Sequence, residues 1–165
     1  MKRLTGRALR YGDNINTDII IPAKYLNTTD ITVLAKHAME PLDPEFKQKA
    51  STYNILVAGK NFGCGSSREH AAIVLKAAGI QAIIARSYAR IFFRNAINQG
   101  IPALQIKDSS TGIDQGDLLD IDLESWKLRD TSKGKTMELS RLPDFLLDVL
   151  SSGGLTNYLK KRKSW

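Results

Sequence analysis

The sequence predicts an α/β fold with a mainly parallel central sheet, and three observations carry that prediction. Between Tyr53 and Ile106, short apolar runs alternate with longer stretches that close at glycine: 54–58, Ser67 to Ala78 before Gly79, Ala82–Ala85, Ser87 to Asn98 before Gly100, and Ile101 to Ile106. The run 54–58 is apolar from Ile55 to Ala58, as a buried strand requires. A strand, helix, strand, helix, strand order needs crossover connections, which are right-handed and leave the strands parallel. At 165 residues the chain has the commonest size for one domain, so a single domain over 1–165 is expected.

The remaining elements follow in order. Leu4 to Tyr11 reads as a short strand, and the Asx-, Gly- and Thr-rich run 12–18 as a loop whose side chains satisfy its own backbone. Ile19-Ile20-Ile21, ahead of Pro22, reads as a short buried strand. Residues 24–49 hold a helix near Ile31 to Met39 and the turn-forming Pro41 and Pro44, and are read as a surface excursion. Beyond Lys107, the run Leu118 to Leu123 predicts a hairpin strand with Trp126 to Arg129 pairing back. An amphipathic piece, Leu142 to Leu150, leads through Gly153-Gly154 to a basic tail, Lys160-Lys161-Arg162-Lys163, expected to be solvated.

Composition limits the function classes. With 42% hydrophobic and 25% charged residues the chain reads as an ordinary globular protein. No apolar run approaches the ~20 residues of a membrane span, and the start has no signal-peptide core, so a cytoplasmic protein is expected. Cys64 is the only cysteine. It cannot form an internal disulfide or supply the thiolates of an iron–sulfur cluster. The net charge of +7 suits either nucleic acid or small polycarboxylates. The chain lacks interleaved aromatic and basic strand motifs, which makes a nucleic-acid partner the weaker reading.

Chemistry concentrates in Gly63-Cys64-Gly65-Ser66-Ser67-Arg68-Glu69-His70, between a strand and a helix start. In α/β sheets ligands bind at this carboxyl end of a strand. A helix start offers free N–H donors and a positive dipole end, and Arg68 a planar fork for a carboxylate. A purely structural alternative stands beside this reading: Ser66 and Glu69 fit a Ser-x-x-Glu capping box. A phosphate loop lacks its Gly-Lys-Ser/Thr, and a serine elbow lacks its second glycine. A Cys64 nucleophile would need His70 or His37 beside it. For Arg86 and Arg90, salt bridges within the fold are preferred to partner contacts.

Gly63 to His70 closely resembles the Gly-x-Gly-Ser-Ser-Arg-Glu-His signature of the aconitase superfamily swivelling domain. Further similar segments follow the family's order. Asn16-Thr17-Asp18-Ile19-Ile20-Ile21-Pro22 looks like Asp-Thr-Asp-x-Ile-x-Pro with Asn16 for the first acid, while 86–92 and 94–98 look like Ser-Phe-Ala-Arg-Ile-Phe and Asn-Ala-x-Asn. The resemblance implies a three-layer β/β/α domain. It also implies the small subunit of a hydro-lyase that moves a hydroxyl between neighbouring carbons of a small di- or tricarboxylic acid. By the same resemblance Ser66 is the base, and Arg68 binds a carboxylate with Ser67 and Gly65 beside it. Tyr25, Leu26, Asn27 and Thr28 select the substrate, and Asp18 and His70 are possible supports. No metal is expected on this chain; a 4Fe-4S cluster is expected on a larger partner, in a heterodimer or heterotetramer. Asn27, where relatives taking a third carboxylate carry arginine, favours an isopropyl-substituted malate over homoaconitate, with a methyl-substituted malate as a further alternative.

Overall fold

The computed structural model describes residues 2–107 and 112–162. Seven strands form one sheet, in the order β4-β3-β2-β1-β5-β6-β7. β1 (Arg3–Arg10), β2 (Ile55–Val57), β3 (Ala82–Ala85) and β4 (Ala103–Gln105) pair in parallel. β5 (Leu118–Asp122), β6 (Lys127–Asp130) and β7 (Lys135–Glu138) form an antiparallel meander. β1 joins the two halves: Ala8 to Arg10 run parallel to Ile55 to Val57, while Arg3 to Arg7 run antiparallel to Leu118 to Asp122.

The sheet curls until its ends meet. Ile106, just past β4, bridges Leu139, just past β7, and the Ser140 and Lys107 amides donate to Gln105 O (2.8 Å) and Glu138 O (3.1 Å). The halves of the curl make two β layers. The crossover helices α4 (Glu69–Ala78) and α5 (Arg90–Asn98), with α6 (Asp144–Ser151) and α7 (Leu155–Arg162) packed beside α5, make the third. β2 and β3 are buried at every residue, which is why they read as unbroken apolar runs. No helix among the described residues is long and apolar enough to cross a membrane.

Several elements differ from the sequence expectation. Ile19-Ile20-Ile21 is not a strand. Asn16 caps a helical turn, α1 (Thr17–Ile20), its Oδ1 accepting from Ile19 N at 2.9 Å, and this cap outweighs the β preference of three isoleucines. Residues 24–49 are more than a surface excursion. After a 3-10 turn over Ala23–Tyr25, α2 (Ile31–Ala35) and α3 (Phe46–Lys49) place Leu34, Ala35, Ala38, Met39 and Phe46 in the core. The helix expected near Ile31 to Met39 is present but ends at Ala35, and turns carry Ala38 and Met39 into the core. β7 had not been anticipated: its short polar run carries one buried residue, Met137. The basic tail continues as α7 through Arg162, with Lys160 to Arg162 exposed as expected; Lys163 lies outside the described residues.

One partly buried polar cluster ties this excursion to the end of β1. Asp43 Oδ2 accepts from Tyr11 OH (2.7 Å) and Lys49 Nζ (2.9 Å). Burial alone would raise the Asp43 pKa, but hydrogen bonds from Tyr11, Lys49 and the Glu45 amide outweigh it and hold the carboxyl below its ordinary value. A depressed carboxylate contributes stability above its unfolded pKa and loses it as pH falls through the folded value. Asp43→Asn should therefore lower Tm at neutral pH and flatten the decline of Tm in acid. Parallel thermal-melt curves for the two proteins from pH 7 down to pH 3 would refute the contribution.

Candidate active site

Beyond β2 the chain runs through bends and left-handed residues and is held on both sides. Gly63 N donates to Ile15 O (2.8 Å), Thr17 N to Cys64 O (2.9 Å) and Ala89 N to Phe62 O (2.9 Å). The segment 62–65 thus lies between 15–17 and 87–89, with bridges from Cys64 to Asn16 and from Phe62 to Tyr88. Gly63 has φ +81°, and a Cβ there would come within 2.2 Å of Phe92 Cγ, so this position excludes any side chain. Gly65 has φ +93° with ordinary space around it; there the backbone angle makes the demand.

Ser66 and Ser67 follow, both exposed. The backbone of Ser66 is fixed by Thr17, 2% exposed, whose hydroxyl donates to Ser66 O at 2.9 Å. α4 then starts at Glu69 with Arg68 as its cap residue and no side-chain cap. The capping box is therefore not formed. Tethering to residues 15–17 delays the helix until Glu69, so Ser66 lies too early to cap. Among the described residues the Ser66 hydroxyl has no hydrogen-bond partner and stays free for chemistry.

Arg68 is fixed more firmly. Its side chain is 16% exposed, and Nη1 donates both to the Asp18 carboxylate and to Ile21 O (3.1 Å). Both contacts use one nitrogen, so Nη2 and Nε keep their protons for a ligand carboxylate. The opposite wall is the start of α5, whose cap residue Ala89 likewise brings no side-chain cap. Two helix starts, each with first-turn amides that lack helical acceptors, thus open on one cleft of about 280 Å³. Its lining includes Thr17, Ser66, Ser67, Arg68, Arg90 and Asn95. The cleft is cationic, open to solvent and of a size for a small acid.

The other expected site residues are arranged differently. His70 is exposed on the first turn of α4 and does not line the cleft. Tyr25, Leu26, Asn27 and Thr28 do not line it either, but their loop begins next to Ile21, whose carbonyl holds Arg68. Tyr25 anchors that loop, stacking on His37 at 3.8 Å and donating to Glu40 Oε1 at 2.5 Å. Its phenol pKa is raised, first by this hydrogen bond. Leu26 packs on the core, Thr28 Oγ1 accepts from Asp30 N (3.1 Å), and Asn27 is exposed. No contact joins Cys64 to either histidine, which leaves the cysteine-nucleophile reading without support.

Arg86 and Arg90 do not form the salt bridges preferred for them: among the described residues neither has a carboxylate within 4 Å. Both follow β3, where the sheet presents its carboxyl edge. Sequence reasoning missed Thr17, Arg90 and Asn95 as site residues. The available signal was the second strand-to-helix turn at 85–90, equivalent in topology to the first. A cluster does not fit this chain, because one thiol falls short of the three or four such a group needs. The described residues also hold no group of three or more His, Cys, Asp or Glu side chains suited to a metal.

Comparison with known proteins agrees with this geometry. The family model described as the aconitase C-terminal domain matches residues 13–109, a span that includes both helix starts of the cleft. The 3-isopropylmalate dehydratase small subunit of Caldanaerobacter subterraneus subsp. tengcongensis is 49% identical over 159 residues, covering 96% of this chain and 99% of the relative. That of Pyrobaculum neutrophilum is 53% identical over 158 residues, covering 96% and 97%. A crystal structure of 3-isopropylmalate dehydratase from Methanocaldococcus jannaschii superposes with a TM-score of 0.91 at 46% identity, covering 98% of this chain and 95% of that one. On fold, site and sequence together, the chain belongs to the aconitase superfamily and, within it, to the family of 3-isopropylmalate dehydratase small subunits.

Proposed function

We propose that this chain is the small subunit of a cytoplasmic two-subunit hydro-lyase. The enzyme interconverts 2-isopropylmalate and 3-isopropylmalate by dehydration and rehydration, a step of leucine biosynthesis. The observation that carries the reading is the open cleft in which an uncapped helix start, an anchored Arg68 and an unpartnered Ser66 hydroxyl converge. Residues 1–165 act as one domain, and a larger subunit carries the 4Fe-4S cluster that this chain cannot ligate.

Within this chain Arg68 and the first-turn amides of α4 bind one carboxylate of the substrate, and Asp18 positions Arg68. Ser66 Oγ takes the proton from the carbon next to a carboxylate while the hydroxyl leaves the neighbouring carbon; water then adds in the opposite sense. A serine is a very weak base in water. It serves here only as an alkoxide held by oriented donors and positive charge, with solvent excluded by the partner. Gly65 and Ser67 bring their backbone to the ligand, and the loop Tyr25–Thr28 meets the substituent. His70, outside the cleft, has no direct role in this reading.

The test is reconstitution with a cluster-loaded 3-isopropylmalate dehydratase large subunit under reducing, anaerobic conditions. Turnover is compared on 2-isopropylmalate, homoaconitate and a methyl-substituted malate. Isopropylmalate should give the highest kcat/KM; no turnover, or a preference for homoaconitate, would overturn the assignment. In the same assay Asn27→Arg should move the homoaconitate to isopropylmalate ratio of kcat/KM upward by about tenfold or more, the effect of one charge-assisted hydrogen bond. An unchanged ratio would remove Asn27 from substrate selection.

A further inference from the structure

The cleft is only half enclosed, since Ser66 and Ser67 face solvent. An alkoxide base requires that solvent be excluded, so a second surface must close over it, crossing its rim at α5. The outer face of that helix has its own groove of about 240 Å³, formed by Arg90, Phe93, Arg94, Ile97 and Asn98 with Leu146 of α6. Arg90 lines both hollows, so the groove adjoins the cleft at that residue.

Two further features point to an occupant. Ile91 at the rim and Phe145 on α6, the latter edge-on to Tyr158, are each 53% exposed. Arg90 and Arg94 have no carboxylate within 4 Å among the described residues, so their charges stay available to a partner. An apolar groove flanked by unpaired guanidinium groups matches an interface with aromatic and aliphatic anchors and Arg at its edge.

We infer that the α5–α6 face is the docking surface for the larger subunit, which inserts an apolar segment flanked by carboxylates between Phe93, Ile97 and Leu146 and so closes the cleft. The inference rests on the two-subunit reading above. Docking on the far side of the cleft wall couples assembly to activity: Arg90 lines both hollows, and the same helix carries Ile91 and Asn95 on the cleft side.

The experiment measures the Kd of the full chain for the cluster-loaded large subunit by fluorescence titration, with turnover recorded at each concentration. Arg94→Glu and Phe145→Asp, both at exposed positions, should each weaken binding by about tenfold or more, with turnover recovered at saturating large subunit. Lys127→Glu on β6, at the far side of the sheet, should bind as the wild type does. If the wild-type pair binds and turns over while both α5–α6 variants keep the wild-type Kd, the docking surface is wrong and the function stands. A wild-type chain that neither binds nor confers turnover overturns both. Self-association of the chain alone, or salt-sensitive RNA binding, that is lost in Arg94→Glu while the large subunit still binds that variant would assign the face to another occupant and overturn the inference.

Discussion

Replacing Ser66 with alanine in the assembled enzyme should lower kcat by about 10²- to 10⁴-fold, the contribution of a positioned general base, and leave KM nearly unchanged. Loss of the hydroxyl removes the proton acceptor but neither Arg68 nor the α4 amides, so ground-state binding of the acid persists. The same variant decides between chemistry and structure. A serine in a capping box costs ~1 kcal/mol when removed. Here the helix is capped by no side chain, Ser66 is exposed, and its link to the fold runs through its carbonyl, which accepts from Thr17. Stability should then change by no more than about 0.5 kcal/mol, as for an ordinary surface position. Subunit affinity should likewise hold. Near-normal turnover would sink the assignment of Ser66, and a marked loss of Tm with activity intact would restore the structural reading.

The parallel half of the sheet was legible because its signals are local and redundant. Strands such as 82–85 are apolar at every position and the helices beside them run to Gly79 and Gly100, so period and punctuation agree. The site was legible for a different reason: its residue types are rare in combination, and the resemblance gave them an order. What failed shows the limit of spacing rules. Ser66 and Glu69 satisfy the capping-box spacing, yet contacts from Ile15 and Thr17, some fifty residues earlier, keep the chain out of the helix until Glu69, past the point where Ser66 could cap it. The three isoleucines at 19–21 look like a strand until Asn16 is recognised as a cap. Arg90 looks like half of an ion pair, but whether a carboxylate reaches it depends on how helices meet across the layer. Each miss is a tertiary decision taken between residues distant in sequence.

Gly63→Ala should be the most damaging small substitution outside the chemistry, at about 3 kcal/mol or a Tm loss of roughly 6–12 °C. Two costs combine. An alanine held at φ +81° sacrifices about 1–2 kcal/mol of backbone preference. Its Cβ would also fall 2.2 Å from Phe92 Cγ, and Phe92 cannot retreat: it is 2% exposed and packs edge-on against Phe62 with ring centroids 5.0 Å apart. Relief must come from moving the first turn of α5, which carries Arg90 and Ile91 on the opposite wall of the cleft. Activity should therefore fall even at temperatures where the variant is folded. Gly65→Ala supplies the control. It shares the left-handed backbone, at φ +93°, but its Cβ meets nothing nearer than Asn16 Cβ at 3.5 Å, so only the backbone cost of about 1–2 kcal/mol applies. Equal losses of Tm in the two variants would show that the backbone angle alone matters and that the contact between Gly63 and Phe92 does not set the distance between the two helix starts. A larger loss at Gly63, with a fall in kcat/KM below the melting range, would show that this glycine sets the width of the acid-binding cleft.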